Sequence, residues 1–368
     1  MKNRNEKVMA AAAVFAIVST IIMIVLSLGV QRFMIEAREQ AVALASEKSR
    51  NSSGSGNVDG SVNGSADGSG SETGSGSVEV SVPERGIVLG METEPSDYIC
   101  LPLPEGVSAA GVTAENHYMD GQLWIRMPNS DFLFYSEKSV SGDVSKLRQA
   151  MAFEDDDGGV VVRLALDNIY EYELISEDQN LYVKLMTPKE KYDLVVVVDP
   201  ASDQGAEVNL AVADALYKLM ENSGIRVYQT RMTEKECLPE NAAAVANAVK
   251  ADMFIRISVG TDENSGVYGT VSKYSGDYFI PGFSSVDLAD VLERSVVTQL
   301  RSETLGIVEA GEEDVALKSA RVPAAEVVLG YMTNVQENKL LMREDYRNKA
   351  AQGIYDAITA AYDMMSGL

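Results

Sequence analysis

The sequence predicts an α/β protein in which a mainly parallel sheet, covered by helices on both faces, follows a small β-sandwich. From Tyr192 onward, short apolar runs alternate with segments whose apolar residues recur at helical spacing. Between residues 80 and 190, short β-rich runs are separated by Gly, Asp, Asn and Pro. Before both, the chain starts with a short charged tail, an apolar segment and a Ser/Gly-rich segment, so five parts are expected in all.

The C-terminal part, residues 191–368, is expected to alternate strands with helices. Continuous or β-like apolar runs predict strands at 194–198, 225–230, 253–257 and 325–329. Helical periodicity predicts helices at 208–221, 242–249, 285–300 and 345–364. Strands separated by helices form parallel sheets, because each helix returns the chain to the same end of the sheet.

Residues 80–190 are expected to form the sandwich. Runs such as LYVKLMTP alternate apolar and polar residues, and helical spacing is suggested only by a possible turn at 145–151. His117 is the single histidine of the chain, and Trp124 is its single tryptophan. Both lie on expected strands, and partly buried strand positions explain them better than a role in stacking on glycans.

The start of the chain predicts a membrane anchor. Lys2, Arg4 and Lys7 precede an uncharged, mostly apolar run at 8–30, long enough to cross a bilayer core of ~30 Å at about 1.5 Å per residue. The positive charges favour a cytoplasmic tail at 1–7, so the globular domains after the span are expected outside the cytoplasm. A cleaved signal peptide is the alternative, but the run exceeds the usual apolar region of such peptides.

Residues 31–79 are expected to form a juxtamembrane segment and a flexible linker. From 49 to 78 the chain consists almost wholly of Ser and Gly with scattered Asp, Asn and Glu, a composition that cannot bury enough apolar surface to fold. The net charge of −24 argues against nucleic acid as a partner, because phosphates are bound through Lys and Arg. Cys100 and Cys237 fall in different expected domains, which argues against a disulfide framework.

Five segments of the C-terminal part carry a resemblance to a known family. YDLVVVVDP at 192–200 resembles the first strand of the zinc-dependent N-acetylmuramoyl-L-alanine amidases, which leads into DPGHGG. Further segments follow in the family's order, at 208–231, 242–258, 284–292 and 322–341. The resemblance implies the family's α/β fold and peptidoglycan as the substrate. A sandwich placed before such a domain is similar to the AMIN domain, which targets amidases to the envelope.

The family's site residues are replaced in this chain. Ser202 stands at the zinc-binding histidine of DPGHGG, and Ser258 stands at the histidine of SIHAN. Gly205 falls at the middle ligand, a glutamate, with Glu207 nearby in a shortened loop. Val328 falls at the second carboxylate, the glutamate of PAVLVELGF. Glu326 lies two residues earlier on the same strand face, roughly 6–7 Å away, too far to replace a positioned base.

These positions also contain groups that could form other kinds of site. Asp199, Asp203 and Glu207 offer oxygen ligands for a hard cation, although three acids are a weak signal in so acidic a chain. The hydroxyls of Ser202 and Ser258 would need a base within hydrogen-bond reach to act as nucleophiles, and this half contains no histidine. Cys237 also lacks a neighbouring histidine, so a packing role or a free thiol is expected.

The sequence therefore favours a pseudoenzyme without zinc or another cofactor, which binds peptidoglycan or an envelope protein, or regulates such a partner. The alternative is an active zinc-dependent amidase with a rebuilt metal site, as catalysis by zinc needs three protein ligands and a bound water. A third possibility is a structural envelope protein that retains the fold without affinity for peptidoglycan.

Overall fold

The computed structural model describes residues 86–156, 158–277 and 280–367, which belong to one compact unit beginning at Val80. The expected cytoplasmic tail, membrane anchor and linker, at 1–7, 8–30 and 31–79, lie outside these residues. Of the helices described, none is long and apolar enough to cross a bilayer. The described chain begins with strands and continues with alternating strands and helices.

Ten strands form two five-stranded sheets packed face to face, as the alternating runs predict. The sheets have the strand orders β1-β7-β8-β5-β4 and β2-β6-β3-β10-β9. Their inner faces share one apolar core, to which Leu123 and Ile125 contribute from the first sheet and Leu101 and Val183 from the second. The strands are β1 (Gly86–Val88), β2 (Gly90–Thr93), β3 (Ile99–Pro102), β4 (Thr113–His117), β5 (Gln122–Pro128), β6 (Ser139–Gly142), β7 (Leu147–Asp155), β8 (Gly159–Leu166), β9 (Glu171–Glu177) and β10 (Asn180–Met186).

The helical turn expected at 145–151 is largely wrong. A 3-10 turn covers only Val144–Lys146, and the chain then enters β7. Ala150 and Ala152 lie opposite Leu164 and Val162 of β8 and are fully buried. Pairing with β8 and burial against the second sheet override the weak helical preference of this alanine-containing segment.

Six more strands form a mainly parallel sheet with the order β12-β11-β13-β16-β14-β15. Four of its five pairs are parallel, and β14 runs antiparallel to β16. The four strands expected from the sequence are present, whereas β14 and β15 were not expected. The strands are β11 (Val195–Pro200), β12 (Arg226–Gln229), β13 (Met253–Gly260), β14 (Thr270–Tyr274), β15 (Thr304–Glu309) and β16 (Ala324–Tyr331).

Helices cover both faces of this sheet. Helices α2, α4 and α7 pack on one face, where Val196, Ile255 and Val327 are buried beneath them. The shorter α3 and α5 cover the other face over Val197 and Phe254. The helices are α1 (Pro188–Lys191), α2 (Ala206–Met220), α3 (Pro239–Val249), α4 (Ser285–Leu300), α5 (Val315–Ser319), α6 (Val335–Leu341) and α7 (Glu344–Ser366).

The sandwich contacts the parallel sheet along the edge strand β12. Glu171 of β9 accepts hydrogen bonds from Arg226 Nε and from the Tyr228 hydroxyl, both at 2.6 Å. Tyr118 donates to the carbonyl of Gln229 at 2.8 Å, and its ring meets that of Tyr228 edge to face. Glu171 and Tyr228 are buried, so the sandwich and the sheet are joined by satisfied polar contacts as well as by apolar packing.

Candidate functional site

Four ionisable residues lie side by side across the parallel sheet, one each on β11, β13, β16 and β14. The strand register places Asp199 beside Arg256, Arg256 beside Glu326, and Glu326 beside Lys273 of β14. Residues paired in this way point to the same face of a sheet, here the face covered by α3 and α5. We call these four residues, which alternate between acid and base, the charge row.

Direct contacts connect the members of the charge row. Arg256 Nη1 donates to Asp199 Oδ2, and the Thr230 hydroxyl donates to Asp199 Oδ1 at 2.5 Å. Lys273 Nζ lies 3.7 Å from Glu326 Oε2 and donates to Asp314 Oδ1 at 2.9 Å. The Asp199 side chain is only 1% exposed, so its charge depends on these partners rather than on water.

Both cations of the charge row remain charged. Burial alone would lower the pKa of Arg256 and of Lys273. The neighbouring carboxylates outweigh the effect of burial. Asp199 and Glu326 raise the pKa of Arg256 above its usual value. Glu326 and Asp314 do the same for Lys273. Two partly buried positive charges are therefore held within the row.

Ser258, on β13, is joined to the charge row. Its hydroxyl donates to Glu326 Oε1 at 2.5 Å, and both residues are buried. The sequence predicted no base within hydrogen-bond reach of this hydroxyl. The structure places the Glu326 carboxylate there, and the same carboxylate also lies beside Lys273. Val328, directly beside Ser258 on β16, is 4% exposed.

The loop between β11 and α2 is held closely by buried side chains. Arg231 donates from Nε to the carbonyl of Pro200, and from Nη2 to the carbonyls of Ala201 and Ala206, at 2.7 to 3.0 Å. Asn209 Nδ2 donates to the carbonyls of Ala201 and Gln204, both at 3.0 Å. The backbone path of the shortened loop is therefore fixed.

The three loop residues assigned to the site from the sequence, Ser202, Gly205 and Glu207, do not converge on one point. The Ser202 hydroxyl donates to the carbonyl of Cys237 at 3.2 Å. Gly205 has φ +60°, and a Cβ atom there would lie 2.2 Å from Cγ2 of Val259, so the position admits no side chain without rearrangement. Glu207 is exposed in the first turn of α2, where the helix dipole favours an acid.

A small cavity lies over the charge row. Its volume is about 170 Å³, and Arg256, Lys273 and Glu326 line it together with Asp203 and residues of α5. Ligand pockets for small molecules usually measure roughly 300–1,000 Å³, so this cavity is too small for a glycan or a peptide. It suits a few water molecules or a small polar group.

A zinc ion of the family's kind does not fit these positions. Two serine hydroxyls and a glycine supply no imidazole nitrogen and no carboxylate, the ligands that catalytic zinc requires. In the part of the chain that the structure describes, no three His, Cys, Asp or Glu side chains are grouped to hold a metal ion. Asp199, Asp203 and Glu207 therefore do not form the oxygen site considered for a hard cation. Asp199 instead contacts Arg256 and Thr230.

The other residues singled out from the sequence lie away from the charge row or are engaged in packing. Cys237 is a buried free thiol whose pKa is raised by burial, which disfavours the reactive thiolate. Cys100 is also a free cysteine. In the sandwich, the half-buried Trp124 ring stacks on His117, with centroids 4.1 Å apart, and the Arg163 guanidinium lies 4.0 Å from the same ring.

Comparisons with known proteins concern the C-terminal half. Residues 200–360 match the family model described as N-acetylmuramoyl-L-alanine amidase. The uncharacterized protein YqiI of Bacillus subtilis is 29% identical over 160 residues, 43% of this chain and 74% of that protein. The N-acetylmuramoyl-L-alanine amidase CwlM of Mycobacterium tuberculosis is 26% identical over 184 residues, 45% of each chain. This chain thus spans about three quarters of the first relative but less than half of the second.

One solved structure is similar to part of this chain. The catalytic domain of CwlV, an N-acetylmuramoyl-L-alanine amidase from Bacillus (Paenibacillus) polymyxa var. colistinus, is 26% identical to this chain with a TM-score of 0.42. The match covers 46% of this chain and 99% of that domain.

Proposed function

We propose, from the premise that residues 200–360 belong to the N-acetylmuramoyl-L-alanine amidase family, that this chain is a membrane-anchored pseudoenzyme of the bacterial cell envelope. In this proposal the amidase-like part acts as a binding or regulatory module. Its partner is peptidoglycan or an envelope protein, and it cleaves no amide bond. The observation that carries the proposal is the charge row, with Ser258 joined to Glu326, where the family holds its metal.

The charge row opposes a metal ion in two ways. Asp199 and Glu326, the buried carboxylates nearest the positions of the lost ligands, are already neutralised by Arg256 and Lys273. An incoming zinc ion would also meet those two positive charges in a partly buried region, where electrostatic repulsion is screened less than in water. A water activated by zinc, which the family's hydrolysis requires, is therefore not supported by these residues.

An active amidase with a rebuilt metal site remains the competing function, and membership in the family favours it. Such an enzyme would have to free Glu326 from Ser258 and Lys273 and bring Glu207 from the surface of α2 to the same ion. Several contacts of the fixed loop would have to break for this change.

Zinc and chelators distinguish these two functions. For the purified fragment Val80–Leu368, we expect less than one zinc per molecule by elemental analysis, no cleavage of muropeptides, and the same melting temperature with and without a chelator. The reason is that a structural or catalytic zinc stabilises the folded state, and its removal would destabilise it. A melting temperature that falls with chelator and recovers with added zinc would show that an active metal site exists.

Sedimentation with purified cell wall then separates a binding module from a purely structural protein.

For the N-terminal residues we propose a single-pass anchor at 8–30, with residues 1–7 in the cytoplasm and the globular part outside the membrane. External protease added to intact cells is expected to cut in the Ser/Gly-rich linker and to release a soluble fragment, because such segments are preferred cleavage sites. An antibody tag at the amino terminus should stay with the membrane. Release of the whole globular part with a processed amino terminus, without protease, would instead establish a signal peptide.

For the sandwich we propose the targeting role that its similarity to the AMIN domain implies. Its Trp124 ring is already in contact with His117 and Arg163, so this ring is a poor platform for stacking on a sugar. The proposed targeting would therefore use other surfaces of the sandwich.

A further inference from the structure

The edge strand β15 leaves an apolar surface exposed at one end of the parallel sheet. Among the described strands it pairs only with β14. Leu305 and Val308 are each 42% exposed and Ile307 is 36% exposed, although all three lie within one six-residue strand. An edge of this kind presents backbone N–H and C=O groups that can pair with another strand.

An apolar cavity continues from the beginning of β15. Its volume is about 480 Å³, within the range of binding pockets, and Ser302 and Glu303, which directly precede β15, form part of its wall. Tyr268, which is 54% exposed, lines the same cavity. The apolar floor is formed by Leu300, Leu340 and Tyr346. The cavity thus borders the residues that lead into the edge strand.

The charges around this surface are mostly negative. Glu303 precedes β15, Glu309 ends it, and Glu312 follows, with its side chain 98% exposed. Two cations lie among these acids, since Arg301 lines the cavity and Lys318 Nζ lies 3.8 Å from Glu312 Oε1. The whole chain carries a net charge of −24, so a second copy would bring further negative charge to the edge. The linker residues 51–78 contain acids and no Lys or Arg, and they also lack the complementary charge. A basic partner fits this surface best.

We propose that β15 receives an extended, basic segment of another protein, which adds a strand to the parallel sheet and places an apolar side chain in the cavity beside Tyr268. Backbone pairing would supply affinity, and the cavity and the surrounding acids would supply specificity. Gly306, with φ +81°, forms a bulge between Thr304 and Ile307, so regular pairing is expected mainly along Ile307–Glu309. The proposal concerns a surface separate from the charge row and does not depend on whether the chain is an enzyme.

The test uses the full-length chain and a fluorescent ten-residue peptide of alternating valine and lysine with a central tyrosine. We expect binding in the micromolar range and slower amide hydrogen exchange at Ile307–Glu309 in the complex. Val308→Lys is expected to weaken binding by about tenfold or more, because a lysine on an edge strand blocks pairing. Val286→Lys is the matched control, since Val286 is a 41% exposed valine on α4 and receives the same added charge.

Three results would overturn the proposal. The first is equal binding by a peptide with glutamate in place of lysine, or by one with proline at alternate positions, which cannot pair as a strand. The second is equal loss of binding in Val308→Lys and Val286→Lys, which would indicate general attraction to an acidic protein. The third is a dimer, detected by sedimentation, that disappears in Val308→Lys and shows that a second copy occupies the edge.

Discussion

Replacement of Arg256 by methionine is expected to lower the free energy of unfolding by about 3–5 kcal/mol, the usual loss when one partner of a buried ion pair is removed. Methionine retains much of the aliphatic volume of arginine but leaves the carboxylate of Asp199 without its cation. Asp199 is 1% exposed and cannot regain water in compensation. Urea denaturation of the fragment Val80–Leu368 measures the loss.

Arg294→Met is the matched control for this substitution. Arg294 also forms an ion pair, with Asp290 one turn earlier on α4, but its side chain is 68% exposed. Its loss is expected to cost at most about 0.5 kcal/mol. Addition of Asp199→Asn to Arg256→Met should recover about half of the loss, because the unpaired charge is then removed. Equal costs for the two arginine variants would mean that the charge row is not buried in solution.

Gly205→Glu places a carboxylate at the position that the resemblance assigns to the family's middle ligand, and it is expected to destabilise the protein by about 2–5 kcal/mol. A left-handed backbone costs a residue with a side chain roughly 1–2 kcal/mol. A Cβ atom 2.2 Å from Cγ2 of Val259 adds the cost of overpacking. Gly224→Glu separates the two effects, because Gly224 has φ +78° but no atom within 4 Å of the added Cβ.

This expectation extends to attempts to restore hydrolysis. Ser202→His and Ser258→His each supply one nitrogen, but the fixed loop still offers no third ligand. Val328→Glu would place a carboxylate in a position that is now 4% exposed. Catalytic groups must lie within about 0.5 Å of productive geometry, so neither single histidine variant should digest cell wall. Clear digestion by either one would show that the site is nearly intact and that the proposed pseudoenzyme is wrong.

The elements with strong periodicity were predictable from the sequence. Helix α4 was expected at the residues where it occurs, and β11, β13 and β16 differ from their expected bounds by at most three residues at an end. The strands that were missed have weaker patterns. In β14 the short run TVSKY includes three polar residues, and β15 is interrupted by Gly306 at a bulge. Their pairing partners stabilise both strands, and a local pattern does not show these partners.

The charge row illustrates the same limit at the site. Arg256 and Glu326 each stand as the one charged residue of a mostly apolar strand. Because isolated buried charges are costly, this pattern predicts a partner for each of them. The two residues are 70 positions apart, and only the register of β13 and β16 brings them side by side. Lys273 lies on a strand that was not expected. The sequence thus indicated which charged groups need partners, whereas the strand register of the folded sheet determines which groups pair.

The contact between the sandwich and β12 has a geometric consequence. Glu171, Arg226 and Tyr228 fix the sandwich against the parallel sheet through short hydrogen bonds within one compact unit. A molecule bound to the sandwich is then held at a constant distance and angle from a second molecule bound at β15. The protein would therefore hold two partners on these surfaces at a fixed separation. A change in that separation would require the buried contacts of Glu171 to break.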